Sequence, residues 1–284
     1  MMKKASLFVS LLLLFLCISP KSLISSEVKK LRIISLAPST TEILFSLSLD
    51  DEIVGVTTFC NYPSQALNKE KVGTFSQPDI EKILSLKPDI IFATGLEQAI
   101  SVEKLKALKL NVCVSDPSNI EELFISIEAI GRLTHREKEA GVLINQMKAK
   151  IEQIVNKTKL IPQEQRQKVF VEIWHDPLMT AGKGSFVDEL ISLAGAINIS
   201  QDIPRAYSYF SPEQVIARNP DCIILGYMSQ EKPLDIVSNR LGWKEIKAVK
   251  NKRVYNDINP DLFLRPGPRL VEGLERIHNR LYPK

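Results

Sequence analysis

Three histidines, His135, His175 and His278, are the chain's whole stock of imidazoles, and no two stand at a spacing that makes a local metal-binding pair. The four cysteines, Cys17, Cys60, Cys113 and Cys222, include no Cys-x-x-Cys, so neither a zinc ribbon nor a redox dithiol is written here. His175 beside Asp176 has the composition of a dyad. No nucleophile and orienting group accompany it, and it reads more simply as a strand end facing a cleft or solvent. Thr180-Ala181-Gly182-Lys183-Gly184-Ser185 is a glycine-rich turn without P-loop spacing, and neither Gly-x-Gly-x-x-Gly nor Gly-x-Ser-x-Gly occurs. An enzyme on a two-lobed α/β scaffold would need a cofactor motif that this chain lacks. The residues favour binding over catalysis, with no catalytic residue, metal ligand or cofactor to assign.

The acids that do stand out form a matched pair. Residues 78–92 and 210–224 align without a gap at an offset of 132. Each copy opens on a helix N-cap (Asp79, Ser211) and puts a glutamate in the first turn (Glu81, Glu213). Each then runs a short helix and passes through Pro88-Asp89 or Pro220-Asp221 into an apolar strand. The residue before proline disfavours the α region, so Pro-Asp ends the helix. First-turn acids also suit the helix dipole, and helix–Pro-Asp–strand is a common α/β connection, so a purely local reading stays open. If the repeat is structural, two similar halves enclose a cleft, a preferred place for a ligand.

Positioning such a cleft takes two α/β units. Short apolar runs predict strands at 31–36, 53–57, 90–93 and 112–114, with helices at 39–47, 79–86 and 102–108 between them. The same alternation resumes with strands at 169–174, 222–225 and 253–255 and helices at 186–193, 212–217 and 269–281. Alternation of this kind predicts parallel strands. Between the halves, 119–157 is helical almost throughout. Capping boxes are expected at Ser118/Glu121 and Thr134/Glu137, and another at Ser39/Glu42. The second linker helix, from about 135 to 156, would span roughly 30 Å and looks like a strut, or else an ordinary core helix. The organisation expected is a leader over 1–26, an N-terminal lobe over 31–117, a helical linker over 118–158 and a C-terminal lobe over 168–284.

The leader follows from order: Lys3 and Lys4, an apolar run from Leu7 to Ile18, then Pro20, Ser22, Ser25 and Ser26. That is the plan of a secretory signal peptide, and the run is short for a membrane span, which needs about 20 residues. A membrane anchor is the competing reading, and Cys17 is a candidate for lipidation. Lys3, Lys4 and Lys21 account for three of the net four positive charges. The remainder is nearly neutral, which gives no argument for nucleic acid.

Several strings resemble one family over about 32–282. They are Ser35-Leu36-Ala37-Pro38-Ser39-Thr40-Thr41-Glu42, Phe59-Cys60-Asn61-Tyr62-Pro63, Ile80-Glu81 with Lys87-Pro88-Asp89, Asp176-Pro177-Leu178-Met179-Thr180-Ala181-Gly182, and Arg265-Pro266-Gly267-Pro268-Arg269. The chain resembles the class III periplasmic substrate-binding proteins of ABC importers, most closely their cobalamin-binding branch. That resemblance implies two Rossmann-like lobes joined by a long rigid α-helix, a monomer exported to the periplasm or lipid-anchored outside the cytoplasmic membrane, and no enzymatic activity. It implies capture of cobalamin, as transported ligand rather than cofactor, with haem or a ferric siderophore as the alternative. The ligand would lie against Phe59, Tyr62, Phe75, Tyr207 and Arg265. Phe75, Tyr207 and Thr94 stand where the family often has tryptophan. Glu81 and Glu213 would dock onto arginines of the permease subunits. For haem, which wants an axial His, Tyr or Met, His175 and Tyr62 would be the candidates.

Overall fold

Short runs rich in β-branched residues form most of the strands. In this computed structural model, which describes residues 30–227 and 233–283, all elements belong to one unit, Leu31–Lys284. The expected leader, with Lys3, Lys4 and Cys17, lies outside the described residues. Among those residues are ten strands and eleven α-helices. The first half carries β1 (Ile33–Ser35), β2 (Ile53–Val56), β3 (Ile90–Ala93) and β4 (Val112–Val114), all parallel, in the order β2-β1-β3-β4. Its crossovers hold α1 (Pro38–Ser46), α2 (Ile80–Ser85) and α3 (Ala99–Ala107). Two linker helices follow, α4 (Ile120–Leu133) and α5 (Glu137–Thr158).

The second half carries β5 (Lys168–His175), β6 (Leu178–Ala181), β7 (Ile197–Asn198), β8 (Tyr207–Tyr209), β9 (Cys222–Leu225) and β10 (Val254–Tyr255). Their order is β10-β9-β5-β6-β8, with β7 also on β5. Its helices are α6 (Phe186–Leu193), α7 (Pro212–Arg218), α8 (Pro233–Asn239), α9 (Lys247–Lys250), α10 (Asp261–Leu264) and α11 (Leu270–Leu281). The fold is α/β, two Rossmann-like lobes joined by a long helix. It departs from the expected all-parallel pattern at β6 and β8. Only Asp176 and Pro177 separate β5 from β6, too short a link for a crossover, so β6 returns antiparallel, and β8 pairs antiparallel with β6. The polar stretch 205–209 is thus partly a strand.

Strand residues point alternately to two apolar layers. Ile33, Val169 and Cys222 enter one large cluster that also contains Ile127 of α4, Met147 of α5, Leu190 of α6 and Leu274 of α11. Their neighbours face away from it: Ile34 packs with Val102 and Leu105, and Phe170 and Ile223 pack with Trp243. Burial on both faces explains why these strands read as continuous apolar runs. Helix α5 is about 33 Å long at 22 residues. Its buried stripe of Ala140, Met147 and Ile154 lies in the cluster shared by both halves.

The helix starts only partly match expectation. Asp79 caps α2 through the amide of Lys82, Ser211 caps α7 through Gln214, and Ser185 caps α6 through Asp188. None of the three capping boxes forms as expected. Pro38 opens α1, whose N-cap is Ala37 with no side-chain cap. The cap of α4 is Asn119, one residue late, with Ser118 Oγ donating to Glu122 instead. Thr134 Oγ1 donates back to the Ile130 carbonyl and finishes α4 rather than starting α5.

The repeat is structural, and deeper than its sequence. Lys87 and Asn219, the matched residues before proline, both take a left-handed conformation, with φ 47° and 46°. Asp89 accepts from the Arg32 amide at 2.8 Å, and Asp221 accepts from the Lys168 amide at 2.9 Å. Each Pro-Asp therefore ties its helix to the start of the first strand of its own sheet.

Candidate functional site

In an open parallel sheet ligands gather beyond the carboxyl ends of the strands. From β2 the chain leaves through Thr57, Thr58 and Phe59. Cys60 is buried, its sulfur accepting from Thr41 Oγ1 at 3.1 Å and lying 3.2 Å from Thr57 Oγ1. Thr41 also donates to Ser35 Oγ at 2.8 Å, so the Ser35-to-Glu42 string anchors this loop. With Cys60 held inward, Phe59 and Tyr62 stay 56% and 45% exposed. Phe75 is half-buried on the neighbouring loop. The Thr58 amide bonds the Gly73 carbonyl at 3.0 Å, and the buried Gln98 donates to both the Phe75 and Leu36 carbonyls, at 2.7 and 2.9 Å.

Tyr207 sits on β8, opposite Ala181. It is placed there by Gly182: a Cβ at that position would meet the Arg205 and Ile203 carbonyls at 2.5 and 2.8 Å. Only glycine lets the strap before β8 pass so close. Tyr207 is 44% exposed. Among the described residues no hydrogen bond, ion pair or ring contact joins it to the other four predicted ligand residues.

Arg265 reaches the Asn61 loop from the other half. It donates to Asn61 Oδ1 at 2.7 Å and pairs with Asp261 at 2.9 Å, with Glu42 at 3.8 Å. Beside it Arg269 forks Glu42, Nε to Oε2 at 2.8 Å and Nη2 to Oε1 at 2.6 Å, and its guanidinium carbon lies 3.8 Å from the centre of the Tyr62 ring. Glu42 is buried, and burial lifts its carboxyl above the ordinary glutamate range even with Arg269 and Arg265 alongside. Two arginines thus face two carboxylates, and the group is close to neutral. The sequence reading missed Glu42, Arg269 and Asp261 as members. Its available signal was that Glu42 and Arg269, opposite in charge, each end a recognised string.

Glu81 and Glu213 are both exposed in the first turns of α2 and α7. A helix that returns the chain to a parallel strand begins near the carboxyl ends of its sheet, so each glutamate stands at that end of its own half. They differ in setting. Ser211 Oγ donates to Glu213 at 2.6 Å and holds its carboxyl below the usual range, whereas Glu81 follows the acidic cap Asp79.

A second polar centre lies at the carboxyl ends of β5 and β9. Buried Glu172 is forked by Arg240, at 2.8 Å twice, and also accepts from the Tyr227 hydroxyl. The His175 ring packs 5.6 Å from Tyr227 and 5.1 Å from Trp174. No group of three or more His, Cys, Asp or Glu side chains converges as a metal site among the described residues. Cys60, Cys113 and Cys222 are free thiols. No helix among those residues is long and apolar enough to cross a membrane.

Comparison with known proteins places this arrangement. Residues 33–259 match the family model described as periplasmic binding protein. An uncharacterized ABC transporter substrate-binding lipoprotein of Bacillus subtilis is 38% identical over 92% of this chain and 82% of its own length. A vitamin B12-binding protein of Vibrio cholerae is 30% identical over 93% of each. Among solved structures, a possible iron-binding periplasmic solute-binding protein of Staphylococcus epidermidis superposes with TM-score 0.78 at 33% identity, over 89% of this chain and all of that one. The periplasmic vitamin B12-binding protein of Vibrio cholerae gives 0.75 at 30% identity, over 88% and 96%. That organism's periplasmic haem-binding protein gives 0.79 at 26%, over 89% and 100%. Matched over most of its length by the family model and by relatives of its own size, the chain belongs to the periplasmic binding protein family.

Proposed function

We propose that this chain is the extracytoplasmic substrate-binding protein of an ABC importer, that it captures cobalamin or a related corrinoid between its two halves, and that it hands the ligand to the permease without catalysing a reaction. The observation that carries the choice of ligand is the charge balance around Arg265. Both arginines already face carboxylates, Asp261 and Glu42, while Phe59, Tyr62 and Tyr207 offer exposed rings. A corrinoid presents a large, flat, apolar body rimmed by neutral carboxamides, which suits aromatic walls and a neutral polar group. Haem brings two propionates and ferric siderophores often bring net negative charge, and both would gain more from uncompensated cations.

In this reading Glu81 and Glu213 are the knobs that meet basic pockets on the permease, one per half, and the leader over 1–26 directs export. The test is titration of the purified mature protein with cyanocobalamin, following heat and the fluorescence of Trp174 and Trp243, with haem and a ferric siderophore run in parallel. Saturable one-to-one binding of cyanocobalamin at micromolar concentration or below is expected. Binding of haem or siderophore in its place would overturn the corrinoid assignment.

A further inference from the structure

The Asn61-Tyr62 loop and the Arg265-to-Arg269 segment are remote in sequence yet mechanically one piece. Arg265 reaches Asn61 across 204 residues, and Arg269 reaches Glu42 across 227. The second link does two things at once. Glu42, buried on α1, fixes the guanidinium by a two-point fork, and that same guanidinium lies over the Tyr62 ring at 3.8 Å. Tyr62 remains 45% exposed, so one part of the ring rests on Arg269 and the rest is open to a ligand. A lysine would not substitute: an ammonium is a point charge with neither the planar fork for Glu42 nor the flat face for a ring.

We infer that Arg269 is a positioning residue for ligand capture, which holds Tyr62 at the wall of the site through the Glu42–Arg269–Tyr62 stack before the ligand arrives. The inference rests on the reading that Tyr62 lines the ligand site. It adds a role for an arginine that is itself spent on Glu42. Preassembly of this kind removes an ordering cost from binding and so strengthens it without a new ligand contact.

Two measurements separate this inference from the ligand assignment. The first needs no ligand: amide hydrogen exchange of the free protein over 57–63. Arg269→Lys is expected to speed exchange there about tenfold, in keeping with the modest size of a cation–π contact, while β1 and β5 amides keep their wild-type rates. Tyr62→Leu, which leaves the buried ion pair intact, should speed the same segment equally, and serves if Arg269→Lys folds poorly. The second is a double-mutant cycle read by calorimetric titration with cyanocobalamin. Arg269→Lys should weaken binding about tenfold in the wild-type background but less than about twofold beside Tyr62→Ala, because coupled residues are not additive. Unchanged exchange over 57–63 in both variants, or additive losses in the cycle, would overturn the positioning role. If the wild-type protein does not bind cyanocobalamin, the corrinoid reading fails, and the exchange data alone decide this one.

Discussion

Replacing Glu42 with glutamine removes a charge from a side chain that is only 3% exposed. Arg269 and Arg265, each 14% exposed, then lose their shared counter-charge. The amide oxygen can still accept one of the two hydrogen bonds now at 2.6 and 2.8 Å, but the amide nitrogen presents a donor to a donor. Removing one partner from a buried ion pair costs about 3–5 kcal/mol. The retained bond, and the hold of Asp261 on Arg265, bring the expected cost to about 2–3 kcal/mol. In a domain of this size each kcal/mol moves Tm by about 2–4 °C, so Glu42→Gln should lower it by roughly 5–10 °C. Circular dichroism would read the melting point, and urea unfolding with an unchanged slope would confirm a stability effect. A second variant tests the cause. Glu42→Met combined with Arg269→Leu replaces the pair with apolar bulk and should lie closer to wild type than either single change. A fall of less than about 2 °C in Glu42→Gln, or a double variant worse than both singles, would refute the view that a buried charge pair is at stake.

Tyr207→Ala should weaken cyanocobalamin binding about 10- to 100-fold by isothermal titration, the loss typical of a truncated aromatic anchor; unaltered affinity would take Tyr207 out of the site. Glu81→Ala with Glu213→Ala should leave that affinity within about twofold and cut uptake through the reconstituted importer more than about tenfold, and normal uptake would refute the docking role. Asp202 is held below its ordinary 3.8 by hydrogen bonds from Arg218 at 2.6 and 3.0 Å. Its contribution is therefore full above that value and fades as pH falls through the lower folded one. Asp202→Asn should have a lower urea midpoint than wild type at pH 6 and the same midpoint near pH 2; a gap independent of pH would show that the charge is not what Arg218 uses.

What was legible in the sequence was local. Asp79 and Ser211 cap their helices because a short side-chain acceptor ahead of an apolar run needs only its own next turn. Pro88 and Pro220 ended their helices for the same local reason, although the αL residues before them, Lys87 and Asn219, carry no glycine to announce that turn. Other misreadings trace to partners outside the local window. Ser39-x-x-Glu42 has the pattern of a capping box, but Pro38 had already opened the helix, and Glu42 was committed to an arginine 227 residues away. A partner so remote leaves no mark in a window of four residues. Strands β6 and β8 were missed because their identity lies in pairing: Tyr207-Ser208-Tyr209 is polar enough for a loop, and becomes a strand because β6 offers it an edge. The five candidate ligand positions came from family resemblance. The physics that orders them, Cys60 turned inward and Gln98 spanning two carbonyls, needed coordinates.

The same contacts bear on how such a site opens. The apolar cluster that contains α5 runs without interruption from β1 and α1 to β5, α6 and α11, and the Glu42–Arg269 fork ties the two halves together. Parting the halves there means breaking the fork. Water entering the gap would solvate both charges and lower the cost, and the carboxyl of Glu42, already raised by burial, is the group that would gain most. Opening is therefore opposed by packing more than by the ion pair. The pair fixes where the two halves meet. Under the proposed function, walls tied in this way would select ligands by shape and charge neutrality, and only secondarily by closing around them.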